Sequence, residues 1–182
     1  LKGVLRRIIS DMESDSAAKE IAHAYEIYFS DLKEKNKENL KRAAEKIEPE
    51  RKEGINERFA KTIREVSAEY LFGVQGFNDA PKLIFNDLVV KEGQEERELF
   101  SIDSKNRIDV VEDQLSAKPR TYKTVRPGVV FTGDILLYRM ERLGIKGIRE
   151  FVEKSLLEFN SGIYRLGGSG SRGYGRVRIE VR

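Results

Sequence analysis

The residues best suited to chemistry lie near the end of the chain, in Leu166-Gly167-Gly168-Ser169-Gly170-Ser171-Arg172-Gly173-Tyr174-Gly175-Arg176. Gly167 to Gly175 hold five glycines in nine residues. Glycine serves where φ must be positive or where another backbone must come close. Ser169 and Ser171 add small donors, and Arg172 and Arg176 add permanent charges in a fork geometry. Backbone N–H groups and guanidinium forks in such a loop suit a chain of phosphates. Gly168-x-Gly170-x-x-Gly173 also satisfies the dinucleotide-binding pattern letter for letter. That motif must follow a strand and open a helix. Here a helical pattern lies upstream, and Val177-Arg178-Ile179-Glu180-Val181 alternates as a strand downstream. The order is reversed, and the dinucleotide reading is set aside.

Composition narrows the chemistry further. The 182 residues carry a net charge of only +3, although 36% are charged. Distribution says more than the total. From Gly162 to Arg182 there are five arginines against one acid, Glu180. Without cysteine there are no disulfides and no thiolate zinc sites. A single histidine, His23, lies in a charged helical stretch with no catalytic partners in view. No apolar run is long enough to span a membrane and no signal peptide is visible, so a cytoplasmic location is expected.

The elements that must position the loop follow from periodicity. Leu1, Val4, Leu5, Ile8, Ile9 and Met12 share one helical face, flanked by Lys2, Arg6 and Arg7. No capping residue precedes Leu1, so an N-terminally truncated chain is expected. Residues 17–71 read as a highly charged helical insertion. Its apolar stripes are Ile21, Ala24, Ile27, Tyr28 and Leu32, then Leu40, Ala43, Ala44 and Ile47, then Ile55, Phe59, Ile63, Val66 and Tyr70. Leu71-Phe72-Gly73 reads as a turn, and Lys82 to Val90 as a strand. Residues 101–127, with Lys105, Arg107, Arg120 and two prolines, read as a protruding hairpin or long loop. Val129 to Tyr138 reads as one long strand with a bulge at Gly133. Ile148, Phe151, Val152, Leu156 and Phe159 mark a helix that Gly162 ends. With one strand added before residue 1, the order is βαββαβ. That is an α+β, ferredoxin-like plan, shared with the RRM.

Several of these stretches resemble one known family. The glycine loop closely resembles that near the C-terminus of RAMP proteins of CRISPR systems. It looks most like the backbone subunit of type III (Csm/Cmr) effector complexes. Leu1-Lys2-Gly3 matches the end of the family's Gly-Ser-Ser-Leu-Lys-Gly signature, Leu71-Phe72-Gly73 a second segment, and Asn106-Arg107-Ile108-Asp109 a third. The resemblance implies a guide-RNA (crRNA)-binding subunit that polymerises along the RNA and holds target RNA beside other type III subunits. It implies RNA contacts at Lys2, Arg6, Arg7, Lys105, Arg107, Arg120, Gly167, Gly168, Ser169, Gly170, Ser171, Arg172 and Gly173. It implies that residues 101–127 are a thumb that inserts between nucleotides, with Leu115 able to act as a wedge. Similar subunits cut target RNA through an aspartate in a loop upstream of the Leu-Lys-Gly helix, with magnesium expected only for the intact protein. No catalytic or metal-binding residue is assigned in this chain, and Asp109 and Asp113 are not substitutes. Two alternatives stay open. One is a RAMP endoribonuclease that processes precursor guide RNA, disfavoured by the single histidine. The other is an RNA-binding module outside CRISPR.

Overall fold

The computed structural model describes residues 1–37, 49–94, 99–111 and 114–182, with the side chains of 49–52, 105–111 and 114–118 left aside. Leu40, Ala43, Ala44, Ile47 and Asp113 lie outside the described residues, and so do the side chains of Lys105, Arg107 and Leu115. The chain forms two compact units, Leu1–Phe85 with Leu136–Arg182, and Asn86–Ile135.

The larger unit is built on helices. Helix α1 (Lys2–Asp11) buries Leu5, Ile8 and Ile9, the stripe expected from the sequence. Helix α2 (Ser16–Lys35) is capped by Asp15, whose carboxylate accepts the Ala17 N–H at 2.9 Å. A cap of this kind satisfies a donor that the first turn leaves unpaired. Asp15 also accepts from Lys154 Nζ at 2.6 Å, and that bond holds its carboxyl below the usual range. Helix α3 (Pro49–Arg64) starts on proline, whose missing N–H costs nothing at a first helical position. A 3-10 turn over Ala68–Phe72 follows. Strand β1 (Lys82–Phe85) pairs with β6 (Ile135–Tyr138). Helix α4 (Ile148–Leu157) buries Phe151, Val152 and Leu156, and runs through a 3-10 turn to Gly162 at φ +79°. That left-handed end is where the sequence placed it.

The stretch expected as a helical insertion supplies much of the core. Tyr25 and Phe29 of α2 are fully buried. Phe29 sits among Tyr25, Tyr28, Tyr70 and Phe77, with ring centroids 5.0 to 6.3 Å apart. The stripe on α2 is one residue out of phase with the expected one. Ala18, Ile21, Ala24, Tyr25 and Phe29 face inward, while Ile27 is 51% exposed. The aromatic rings decide the rotation, because each buries more apolar area than a second isoleucine would.

The buried Tyr25 hydroxyl donates to Pro81 O at 2.8 Å, which joins α2 to the start of β1. Burial pushes its pKa well above that of a free phenol. A raised tyrosine pKa keeps its stability below the unfolded value, about 10, and loses it as pH rises beyond that. Thermal unfolding followed from pH 8 to 11 should therefore fall steeply at the alkaline end. Tyr25→Phe should start lower, through the orphaned carbonyl, but decline less.

The smaller unit holds two antiparallel ladders. β2 (Val89–Val90) pairs antiparallel with β5 (Phe131–Thr132). Among the described residues, β3 (Phe100–Val111) and β4 (Gln114–Val125) pair antiparallel only with each other, over 12 residues each. The expected hairpin at 101–127 is thus a regular two-stranded ladder.

Three expectations need correction. Residues 82–90 are not one strand but β1 and β2. Residues 129–138 are likewise two strands, β5 and β6, with different partners. The break falls at Gly133, where a Cβ would stand 2.8 Å from Leu88 Cδ2 and 2.9 Å from Asp87 O. Close approach of another backbone, rather than a bulge within one ladder, explains that glycine. Third, Val177 to Val181 has the alternation of a strand but no ladder among the described residues. A strand is defined by its neighbour. Here the Asn160 side chain takes that place: its Oδ1 accepts the Ile179 N–H at 2.8 Å and its Nδ2 donates to Ile179 O at 3.0 Å.

Candidate nucleic-acid interface

The glycine loop is closed at its neck. Leu166 N–H donates to Gly175 O at 2.9 Å. Gly175 has φ +75°, and a Cβ there would overlap the Leu166 carbonyl. Position 175 therefore admits only glycine, for conformation and for space. Arg165 braces the interior. Its Nη1 donates to Gly173 O at 3.2 Å, and its Cδ lies 3.3 Å from where a Gly170 Cβ would be. Arg176 packs beside Gly162, with Nε 3.4 Å from the corresponding point.

Two of the three arginines around the loop are therefore turned to shaping it. Arg172, at the end of a 3-10 turn over Gly170–Arg172, is exposed and makes no ion pair among the described residues. Ser169 has φ +60°. A non-glycine residue in that region is uncommon, and such backbone is held only where surrounding structure over-determines it. Positions 167, 168 and 173 have open space on the side a Cβ would occupy, so their backbone is approachable. The loop thus presents an accessible main chain around a free guanidinium, an arrangement able to hold an anion.

Helix α1 is bolted to the base of this loop. Tyr164 donates to Asp11 Oδ2 at 2.9 Å. Partial burial, then that bond, raises the Tyr164 pKa, and the charge of Arg7 acts in the opposite sense. Lys2 and Arg6 have other partners. Lys2 Nζ lies 5.9 Å from the centre of the Phe85 ring, and Arg6 Nε donates to Glu69 at 2.6 Å. The Arg6 bond is the main reason the Glu69 carboxyl is held below its usual range. Arg6 remains 58% exposed.

On the hairpin, the register sets Lys105 opposite Arg120 and Arg107 opposite Lys118. Arg120 is exposed. Sequence reasoning singled out three of these four residues but not their pairing, which depends on register.

It also missed Arg165, Tyr164 and Asn160, whose partners are remote or are backbone atoms. Phe72, Phe85, Lys82, Tyr138 and Arg139 were passed over as well. The signal for the last pair was an arginine following an apolar strand, too common to single out. Among the described residues no three His, Asp or Glu side chains come together as metal ligands do. Among those residues, too, no helix is long and apolar enough to cross a membrane.

A glycine loop with accessible backbone and a basic helix thus stand on an α+β scaffold. The model of the RAMP superfamily matches residues 1–178, and the chain belongs to that superfamily. Its membership supports a CRISPR-associated, RNA-binding function. No curated protein and no solved structure matches the chain.

Proposed function

We propose that the chain is the guide-RNA-binding backbone subunit of a type III CRISPR effector complex. Copies line up along the guide, and each holds a stretch of its sugar–phosphate chain. The glycine loop with Arg172 takes one part of that chain, Arg7 and Lys2 of α1 extend the track, and Arg6 contributes beside Glu69. The β3–β4 hairpin, with Lys105, Arg107 and Arg120, reaches the guide–target duplex. A ferredoxin-like plan is consistent with the paired β1 and β6 and with α1 and α4 side by side, linked by the 3.6 Å bond from Ser155 Oγ to Met12 Sδ. The observation that carries the reading is the closed, open-faced loop, which supplies phosphate donors without reading bases. Backbone contacts of that kind give affinity, and base pairing supplies specificity.

Arg172→Ala should weaken binding of every RNA sequence alike, and lower the slope of log affinity against log salt by about one. Fluorescence anisotropy across a salt series reads both. An unchanged slope would remove Arg172 from the phosphate track.

Co-purification with guide RNA tests the assembly. Light scattering should give RNA-bound oligomers whose mass grows with guide length. A monomer or dimer that cuts a hairpin repeat would favour the precursor-processing alternative. With guide, complementary RNA and magnesium, residues 1–182 should bind target without cutting it, because metal-assisted cleavage needs ligands close to the attacked phosphate. Specific cleavage that disappears on changing one acid within these residues would place the catalytic group inside this chain.

A further inference from the structure

We infer that the larger unit carries a second RNA contact, a pocket that stacks one unpaired base of the bound strand. It rests on the RNA-binding reading above but uses none of the glycine loop. An open groove of about 480 Å³ lies between the start of α1, the segment after the 3-10 turn, and β1. That volume is in the range of small-ligand sites. Its aromatic wall is a pair of parallel rings, Phe72 and Phe85, with centroids 5.8 Å apart at 11°. Phe72 is buried, Phe85 is half-buried, and both line the groove.

Cations stand around the rim. Lys2 Nζ is 5.9 Å from the Phe85 centroid. Lys82 Nζ donates to Asn78 O at 2.6 Å and lies 5.7 Å from the Tyr138 ring. Outside the lining, Arg139 lies 4.9 Å from the same ring. It is held there by Asp79 at 3.1 Å, with its backbone at φ +55°.

The lining contains no acid, and Gln75 and Asn78 bring two exposed amides to it. A planar apolar ring suits a base, amides can pair with a base edge, and ammonium groups suit the flanking phosphates. This combination is how single strands are held, and stacking on an aromatic ring contributes about 1–3 kcal/mol per base. A free anion would use the lysines but not the ring. An apolar ligand would use the ring but gain nothing from the two lysines of the lining.

The test compares oligouridylate with an abasic oligonucleotide of equal length, in wild type, Phe85→Leu and Phe85→Tyr. Leucine keeps apolar bulk and removes the ring, whereas tyrosine keeps the ring. Phe85→Leu should lose about tenfold in affinity for oligouridylate and nothing for the abasic strand, and Phe85→Tyr should bind both as wild type does. A 5-iodouridine strand should photo-crosslink to the peptide that carries Phe85. Oligouridylate bound normally by Phe85→Leu, or weakened equally with the abasic strand, overturns the base pocket and leaves the phosphate reading intact. If wild type binds neither strand, both readings fall together.

Discussion

Gly175→Ala should cost at least about tenfold in RNA affinity while leaving the helical content of the chain in place. A side chain at φ +75° is strained by about 1–2 kcal/mol. The larger cost is spatial. The new methyl group would overlap a backbone carbonyl, which has no rotamer through which to escape. The Leu166–Gly175 hydrogen bond has to open, and the loop that it closes loses its shape. Gly54→Ala, in α3 and outside the binding residues, is the matched control. It has no positive φ and nothing within 4 Å of the added atom, so a single methyl there should fold and bind nearly as wild type. Anisotropy titrations with one RNA, beside far-ultraviolet circular dichroism, separate the two. Wild-type affinity in Gly175→Ala would show that the neck does not shape the binding face.

The largest effect on stability is expected from Phe29→Ala, a loss of about 3–5 kcal/mol. Phe29 is fully buried and touches four other rings, contributed by α2, the 3-10 turn and Phe77. Emptying the centre of that cluster leaves walls that cannot collapse, since each ring is held by the others. For a chain of this length the melting temperature should fall by roughly 10 °C or more. Urea titration gives the same loss as a lower midpoint. A midpoint within experimental error of wild type would mean that the cluster repacks. Phe77 also lines the groove beside Phe85, but walls that do not collapse keep it in place, so the substitution should reduce oligouridylate binding only in proportion to the unfolded fraction.

What could be read from the residues, and what could not, divides by distance along the chain. Helix α1 and its buried Leu5, Ile8 and Ile9 were legible, because the spacing of apolar residues on a helix is local. So were α4 and its left-handed end at Gly162, and the hairpin between residues 101 and 127. The phase of α2 was not legible, since five apolar residues fit two stripes, and only packing against Tyr70 and Phe77 chooses between them. Nor was the division of each apolar run into two strands, which depends on Leu88 meeting Gly133.

The candidate site shows the same pattern. Composition exposed the glycine loop, but not that Arg165 turns inward to Gly173 O and Arg172 does not. The position of Arg6 beside Glu69, 63 residues away, had no sequence signal at all.

The bidentate grip of Asn160 on Ile179 has a consequence for how the end of the chain is indexed. In a pleated segment, sliding by one residue exchanges its two faces. Val177 and Ile179 are half-buried, whereas Arg176, Arg178 and Glu180 are exposed. With both main-chain groups of Ile179 clamped by one amide, the segment has a fixed zero point, like a ruler pinned at a single mark. A displacement by one step would carry three charged side chains inward and release two apolar ones. One asparagine side chain thus preserves the parity of the last six residues without help from a neighbouring strand.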